Sequence, residues 1–253
     1  MISERTFARS FSDFWAQLLP LLTPSFVHII NQGFRESLTD RSGVEIEAIP
    51  KNPKTTDSAV VAEFAFFLAQ MAVEKEMRVD DVFQNLSLKE LAERSALEVV
   101  TKYEGGRVYV PDRLSPEELD EGMTLARNYG LFFEQRCKGK RIEFGPEIPG
   151  AGFLSKCKAD ISVETALFEV KTVDRNFAGK DIRQLIVYLA LQGATGQRRW
   201  ETAGFFNPRK AIYLEFEVDD LIQRMSGGKS SAEVFQDFVD FVCTRDIQFD
   251  AAF

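Results

Sequence analysis

Residues 152–192, GFLSKCKADISVETALFEVKTVDRNFAGKDIRQLIVYLALQ, constrain this chain more than any other stretch. They read as strand, tight turn, strand, polar loop and helix. Side chains on a strand alternate between faces. Glu169 and Lys171 therefore point the same way, and Lys156, Lys158 and Asp160 share one face of the preceding strand. Two hairpin registers are open. A turn at Glu164-Thr165 sets Asp160 opposite Glu169; a turn at Thr165-Ala166 sets it opposite Lys171 and diagonal to Glu169. Either brings the three side chains onto one face within cross-strand reach. The other face carries Ile161, Val163, Phe168 and Val170 and requires a core. Gln184 and Tyr188 lie four apart on the helix that follows, so they share one of its faces.

Two carboxylates a few ångströms apart repel, and their pKa values separate unless a cation lies between them. Mg²⁺ takes oxygen ligands and is typically held by one or two carboxylates, waters and a substrate phosphate. A lysine beside such an ion can orient or deprotonate a water and offset charge on a phosphate. The set therefore suits attack of water on a phosphodiester. A Glu-x-Lys triplet alone is weak, since about one arises by chance in a chain of this composition. Here it is the single one, and it is followed by a Q-x-x-x-Y helix.

The pattern G…AD, eight residues, EVK, then QLIVY on a helix resembles the PD-(D/E)XK nuclease superfamily, in its RecB-like branch. The likeness spans roughly residues 126–220. Ala159 stands where the family has its proline. The resemblance implies an α/β (α+β) fold: a restriction-endonuclease-like core with a central mixed β-sheet flanked by helices. It implies Mg²⁺ or Mn²⁺ as cofactor, Asp160 and Glu169 as metal ligands, and Lys171 as the catalytic base or water-positioning group. Gln184 and Tyr188 become supporting site residues. The helix before the first core strand often adds an acid in this family. Glu134 is the position expected for it, with Glu147 in reserve.

The charge distribution agrees with a nucleic-acid substrate. The chain carries a net charge of −8. Residues 1–125 hold 13 basic and 21 acidic side chains, residues 126–210 hold 15 and 9, and residues 211–253 hold 3 and 9. The one basic block coincides with the motif, and backbone binding needs positive charge only where the backbone lies. Lys156, Lys158, Lys180, Arg183, Arg198 and Arg199 are the expected nucleic-acid contacts. Lys180 and Arg183 sit near a helix start, where phosphate binds readily. DNA is the favoured substrate, with RNA left open. Cys137, Cys157 and Cys243 are too few and too far apart for a disulfide framework or an iron–sulfur site. The first residues lack the apolar core of a secretory signal, and the apolar runs are too short for a membrane span. A cytoplasmic protein is expected. The single histidine, His28, is assigned to structure.

The remaining chain is read as a mostly helical N-terminal region over 1–113 and the nuclease-like unit over 114–253. Residues 1–45 are helical, broken at Pro20 and Pro24. VEIEAI at 44–49 reads as a strand, and residues 58–76 as a helix with Phe64, Phe66 and Phe67 in a core or interface. LSLKELAERSALEV at 86–99 reads as a helix capped by Ser87. With KYEGGRVYVPD after it as a wing or hairpin it could form a DNA-reading module; the other reading is a plain helix followed by a hairpin turn at Gly105-Gly106. Ser115, Pro116, Glu117 and Glu118 open a long helix. GFFNPRK at 204–210 reads as a turn, AIYLEFEV at 211–218 as a strand, and SAEVFQDFVDFVC as an acidic amphipathic helix. The size and the acidic N-terminal region point to a protein partner or a homo-oligomer, as in a DNA-processing or phage-defence system. Two rival functions remain: an inactive nuclease-fold subunit that binds nucleic acid, and a DNA-binding regulator acting through 86–113.

Overall fold

A computed structural model describes residues 1–50, 55, 58–104, 112–196 and 199–244. Its centre is a six-stranded mixed sheet, ordered β1-β8-β7-β6-β5-β2, with helices on both faces, an α/β architecture. The strands are β1 (Arg35–Ser37), β2 (Ile142–Phe144), β5 (Ile161–Val163), β6 (Ala166–Val170), β7 (Thr202–Asn207) and β8 (Ile212–Glu217). A separate two-stranded sheet pairs β3 (Glu147–Ile148) with β4 (Cys157–Lys158). Only β6 and β7 are parallel. The crossover between them is α8 (Gly179–Gly193).

Helix α8 is buried almost all round. Ile182, Leu185, Ile186, Val187, Leu189, Ala190 and Leu191 are enclosed between the sheet, α1 (Glu4–Arg9) and α10 (Ser231–Thr244). A helix apolar on every side has to be covered on every side. The opposite face of the sheet packs against α7 (Pro116–Arg136), which packs in turn on α4 (Ser58–Glu74). Ile161, Val163 and Phe168 point into that second core, as their alternation predicts, and Val170 packs at its border. Helix α7 begins as expected, with Ser115 and Glu118 in a reciprocal capping box and Pro116 in the first turn.

Several expectations are corrected. GFFNPRK is not a turn: 202–207 is the buried strand β7, and the reversal is confined to the residues between β7 and β8. Gly204 is there for close approach, since a Cβ would lie 2.1 Å from the Leu214 carbonyl oxygen. VEIEAI forms only an isolated bridge, Thr39 to Glu45, while β1 arises earlier, at 35–37. Helix α6 (Leu86–Glu104) is present, but its first turn is capped by Asn85, whose Oδ1 accepts from the Leu88 amide at 3.2 Å; Ser87 is inside the helix. The turn at Gly105-Gly106 lies outside the described residues. A short amphipathic helix, α9 (Val218–Ser226), was not anticipated. Segments before and after residue 113 also pack on one another. The N-terminal β1 pairs with β8, α1 packs on α8, and α4 packs on α7. Phe7, Phe11, Phe14 and Trp15 stack among Phe153, Phe238 and Phe241, so the two ends of the chain share one aromatic cluster. His28 is exposed on α3 (Pro24–Gly33) and is not a core residue.

Candidate active site

The β5–β6 hairpin turns at Glu164-Thr165, with Glu164 at a left-handed φ of 51°. Ile161 pairs with Phe168, so the next pair outward is Asp160 with Glu169. This is the first of the two registers considered above. Asp160 stands where the chain leaves β4 for β5, and its Oδ2 accepts from the Val170 amide at 2.6 Å. Lys171 Nζ donates to Glu169 Oε1 at 2.5 Å and to Gln184 Oε1 at 2.9 Å. Gln184 Nε2 donates to the Tyr188 hydroxyl at 2.7 Å. One connected path thus runs from the hairpin to α8, through Glu169, Lys171, Gln184 and Tyr188.

The electrostatics of this path are those of a site short of positive charge. Glu169 is fully buried, and its Oε2 has no hydrogen-bond partner. A buried polar atom without a partner is costly and calls for an explanation. Asp160 is raised well above the usual aspartate pKa by burial and by the charge of Glu169, against the pull of Lys171, the Val170 amide and Arg5. Burial, with the charges of Glu169 and Asp160, likewise pushes the Tyr188 phenol upward. Opposed carboxylates with an orphaned oxygen fit a hard divalent cation, which prefers oxygen ligands. Asp160 and Glu169 would hold it. Among the described residues, however, no group of three or more His, Cys, Asp or Glu side chains comes together in a metal-binding arrangement.

A cleft of about 450 Å³ opens over the path. Its lining takes Asp160, Val170 and Lys171 from the hairpin, Thr172, Val173 and Arg175 from the loop after it, and Lys180, Asp181 and Gln184 from α8. Helix α1 adds Arg5, Ala8 and Arg9, α4 adds Ser58, Ala59, Ala62, Glu63 and Phe66, and α7 adds Tyr129. Burial and the charges of Asp160 and Glu63 hold the Tyr129 phenol well above its ordinary pKa. Burial also raises Glu63, although Arg5 opposes it. Arg5 itself is raised, because the charges of Glu169 and Asp160 outweigh the cost of its burial.

The loop after Lys171 is fixed from two sides. Asn31 donates to the Phe177 carbonyl at 2.9 Å and accepts from the Phe177 amide at 3.1 Å. Asn207 Nδ2 donates to the Val173 carbonyl at 2.8 Å. Asp181 then closes the start of α8. It accepts from the Ala178 amide at 2.8 Å and from both terminal nitrogens of Arg175. Burial alone would raise Asp181, but these donors outweigh it and lower its pKa. The helix start expected to bind phosphate therefore already holds a carboxylate.

Of the expected nucleic-acid contacts, Lys180 lines the cleft. Lys158 lies on β4 in the small sheet, exposed and 3.8 Å from Glu147, and Lys156 is exposed just before it. They do not continue the strand of Asp160, because pairing shifts from one sheet to the other at Ala159 and Asp160. Arg183 places its guanidinium over the ring of Trp15, on α2 (Ser12–Leu18), at 5.8 Å, and burial lowers its pKa. Arg199 bonds to Glu143 and stacks on Trp200, in a different depression. Arg198 falls outside the described residues. Glu134 is exposed and paired with Arg41 at 3.2 Å, beside a hollow formed with Thr39 and Lys138. It sits near the C-terminal end of α7 and does not line the cleft, whereas Tyr129, more than a turn earlier, is the α7 residue that does. Glu147 is also exposed. The acids that do share the cleft with Asp160 are Glu63 and Asp181, the latter already held by Arg175 and the Ala178 amide.

Sequence reasoning did not find Arg5, Arg9, Glu63 and Tyr129. One signal was available: Arg5 and Arg9 are four apart on a helix and so share a face, within an otherwise acidic segment. No protein-family model matches the chain, and a search of curated proteins returns no match. The reading of the site therefore rests on its geometry.

Proposed function

We propose that this protein is a divalent-cation-dependent nuclease that hydrolyses phosphodiester bonds in DNA, with a core of the PD-(D/E)XK type and RecB-like branch. The observation that carries this is Glu169 Oε2, buried and unpartnered beside the Lys171 ammonium, with Asp160 just beyond the Ile161–Phe168 pair and its carboxylate on the Val170 amide. Asp160 and Glu169 would hold Mg²⁺ or Mn²⁺, which when bound supplies Lewis-acid activation of a water and of the phosphate. Lys171 lines the cleft and donates to Glu169 and Gln184, so its ammonium would lie beside a cation held by Glu169 and could position or activate a water there. Tyr188 receives a hydrogen bond from Gln184 and keeps the Gln184 carbonyl oxygen turned to Lys171. Arg5, Arg9, Arg175 and Lys180 give the cleft the positive charge that a phosphate backbone needs.

The test is cleavage of labelled DNA with Mg²⁺ or Mn²⁺, comparing the native chain with Asp160→Asn and Lys171→Ala. Cleavage that each substitution reduces by at least ~10²-fold is expected, as for loss of a general acid–base group. Intact DNA and RNA in either ion, or cleavage indifferent to both changes, would overturn the proposal.

A further inference from the structure

The chain that follows Lys171 is held by residues that do not line the cleft. The parallel ladder between β6 and β7 ends where the Lys171 amide donates to the Phe206 carbonyl at 2.9 Å. The Lys171 carbonyl then accepts from the Val173 amide at 2.9 Å, a three-residue turn of the kind that ends strands. Asn207 follows Phe206 on β7 and is fully buried. Its Nδ2 donates to the Val173 carbonyl at 2.8 Å, so a side chain takes over where the backbone pairing stops. Its Oδ1 accepts from the Lys210 amide at 3.1 Å, inside the β7–β8 reversal. One buried amide group therefore ties the turn after Lys171 to the turn after β7.

The reversal grips the same segment further along and is itself anchored. Lys210 Nζ donates to Asn176 Oδ1 at 2.7 Å. Arg209 Nε lies 3.7 Å from Asp174, a weak pair because the Asp174 side chain is 58% exposed. Arg209 matters more as an anchor. It is buried and bonds through Nη2 to Glu121 of α7, whose other oxygen accepts from Thr55. Asn128 of α7 donates to the Pro208 carbonyl at 2.7 Å, and the Ile49 amide donates to the Arg209 carbonyl at 2.7 Å. The reversal is thus fixed to α7 on one side and to residues 173–176 on the other. That segment begins at Lys171 and carries Arg175, which closes on Asp181 at the start of α8.

We infer that Asn207 and Lys210 of the β7–β8 reversal are positioning residues for the proposed cleavage: they fix the turn after Lys171 and so keep its ammonium on Glu169 and Gln184. The effect on cleavage rests on the nuclease reading; the hold on the turn does not. Hydrogen exchange of the whole protein without metal reads that hold. In Asn207→Ala, amides of 171–176 should exchange at least ~10-fold faster than in the native chain. The β5–β6 hairpin at 161–169 and α8 at 182–191 should stay within about twofold of native. Loosening shared equally by the hairpin and α8, or no loosening, overturns the inference whether or not the protein cleaves DNA. If Asn207→Ala does not fold, Lys210→Met decides, since it removes one bond of a partly exposed side chain. Exchange at 174–176 should then rise about threefold, the scale of one net hydrogen bond, with the hairpin unchanged; unchanged exchange there overturns the inference.

Cleavage of labelled DNA with Mn²⁺ reads the second half. Displacing a reacting group by about an ångström costs up to ~10²-fold in rate. Asn207→Ala should therefore lower kcat by at least ~10-fold and leave KM within about threefold. A double-mutant cycle with Lys171 separates positioning from general loss of structure. If Asn207 acts through Lys171, then Asn207→Ala costs less than about threefold on top of Lys171→Ala. A factor as large there as in the native background overturns the inference. Native chain and Asn207→Ala cleaving equally fast also overturns it, and leaves the nuclease reading standing. A native chain that cleaves nothing removes the nuclease reading and the role in cleavage with it, while the exchange pattern still decides whether Asn207 holds the turn.

Discussion

Removal of the Lys171 ammonium gives the most direct physical test of the site. Lys171 Nζ and Glu169 Oε1 are 2.5 Å apart, with side chains 15% and 1% exposed. In Lys171→Met the apolar stem remains and the charge is lost. Glu169 then has no donor on Oε1 and none on Oε2. Gln184 Oε1 loses its donor as well. Removing one partner of a buried pair costs roughly 3–5 kcal/mol, because the other charge stays buried and uncompensated. For a chain of this size one kcal/mol shifts Tm by about 2–4 °C, so a fall of roughly 6–20 °C is expected in EDTA. Thermal unfolding followed by circular dichroism reads this directly. Two further arms separate the charge from packing. The double variant Glu169→Gln/Lys171→Met removes both charges and should recover most of the loss. Excess Mg²⁺ should raise the Tm of Lys171→Met by more than that of the native protein, since a cation that binds only the folded state stabilises it by mass action. A single variant within about 2 °C of native, the least that one kcal/mol would shift it, would refute the reasoning. So would a double variant no more stable than the single.

Asp181 should make stability depend on acid in one direction. Its pKa is lowered in the folded protein, so the stability it contributes is present above the ordinary aspartate value and is lost as pH falls below it. Asp181→Ala is expected to cost about 0.5–2 kcal/mol at neutral pH, mostly as a lost helix-start acceptor, because Arg175 is 40% exposed and its ion pair is screened. The gap between variant and native in urea unfolding should close on acidification; a gap independent of pH would contradict this assignment. Gly204→Ala should lower the unfolding free energy by about 1–3 kcal/mol, read as a lower urea midpoint, since its Cβ would meet the Leu214 carbonyl oxygen at 2.1 Å and Phe168 Cε1 at 2.8 Å. An unchanged midpoint would mean that β7 and β8 are not packed as described.

What the sequence made legible was local. Alternation placed Ile161, Val163 and Phe168 in one core, and hairpin parity put Asp160, Glu169 and Lys171 on one face in either register. The four-residue spacing of Gln184 and Tyr188 became a hydrogen bond. The failures have physical causes too. In GFFNPRK, Gly, Asn and Pro looked like turn residues. Gly204 is instead a close-approach residue inside a strand, and Asn207 is a buried clamp on the loop after Lys171. VEIEAI alternates well, yet β8 pairs with 35–37, and alternation cannot say which segment wins an edge. Lys156 and Lys158 obey strand parity with Asp160 only if the strand is continuous, and it changes sheets between them. The walls of the cleft were the least legible. Arg5 and Glu63 come from positions about a hundred residues or more before the hairpin, and no local spacing encodes a contact of that separation.

The place of the site in the topology gives a reason for its location that is independent of motif. β6 is the strand at which pairing changes hand: antiparallel to β5 on one side, parallel to β7 on the other. A parallel neighbour requires a crossover, here α8, which must leave from the carboxyl end of β6. The loop after Lys171 makes that departure, and the antiparallel β5 brings its amino end, with Asp160, to the same edge. In open α/β sheets such an edge is where a crevice forms and ligands bind. In an all-antiparallel arrangement a short hairpin could follow β6 and close over Lys171. The crossover holds that edge open and brings Gln184 and Tyr188 back to it on the first turns of α8. Residues of α1 and α4 then flank the opening, so the crossover leaves the hairpin carboxylates and Lys171 beside a cleft that segments distant in sequence complete.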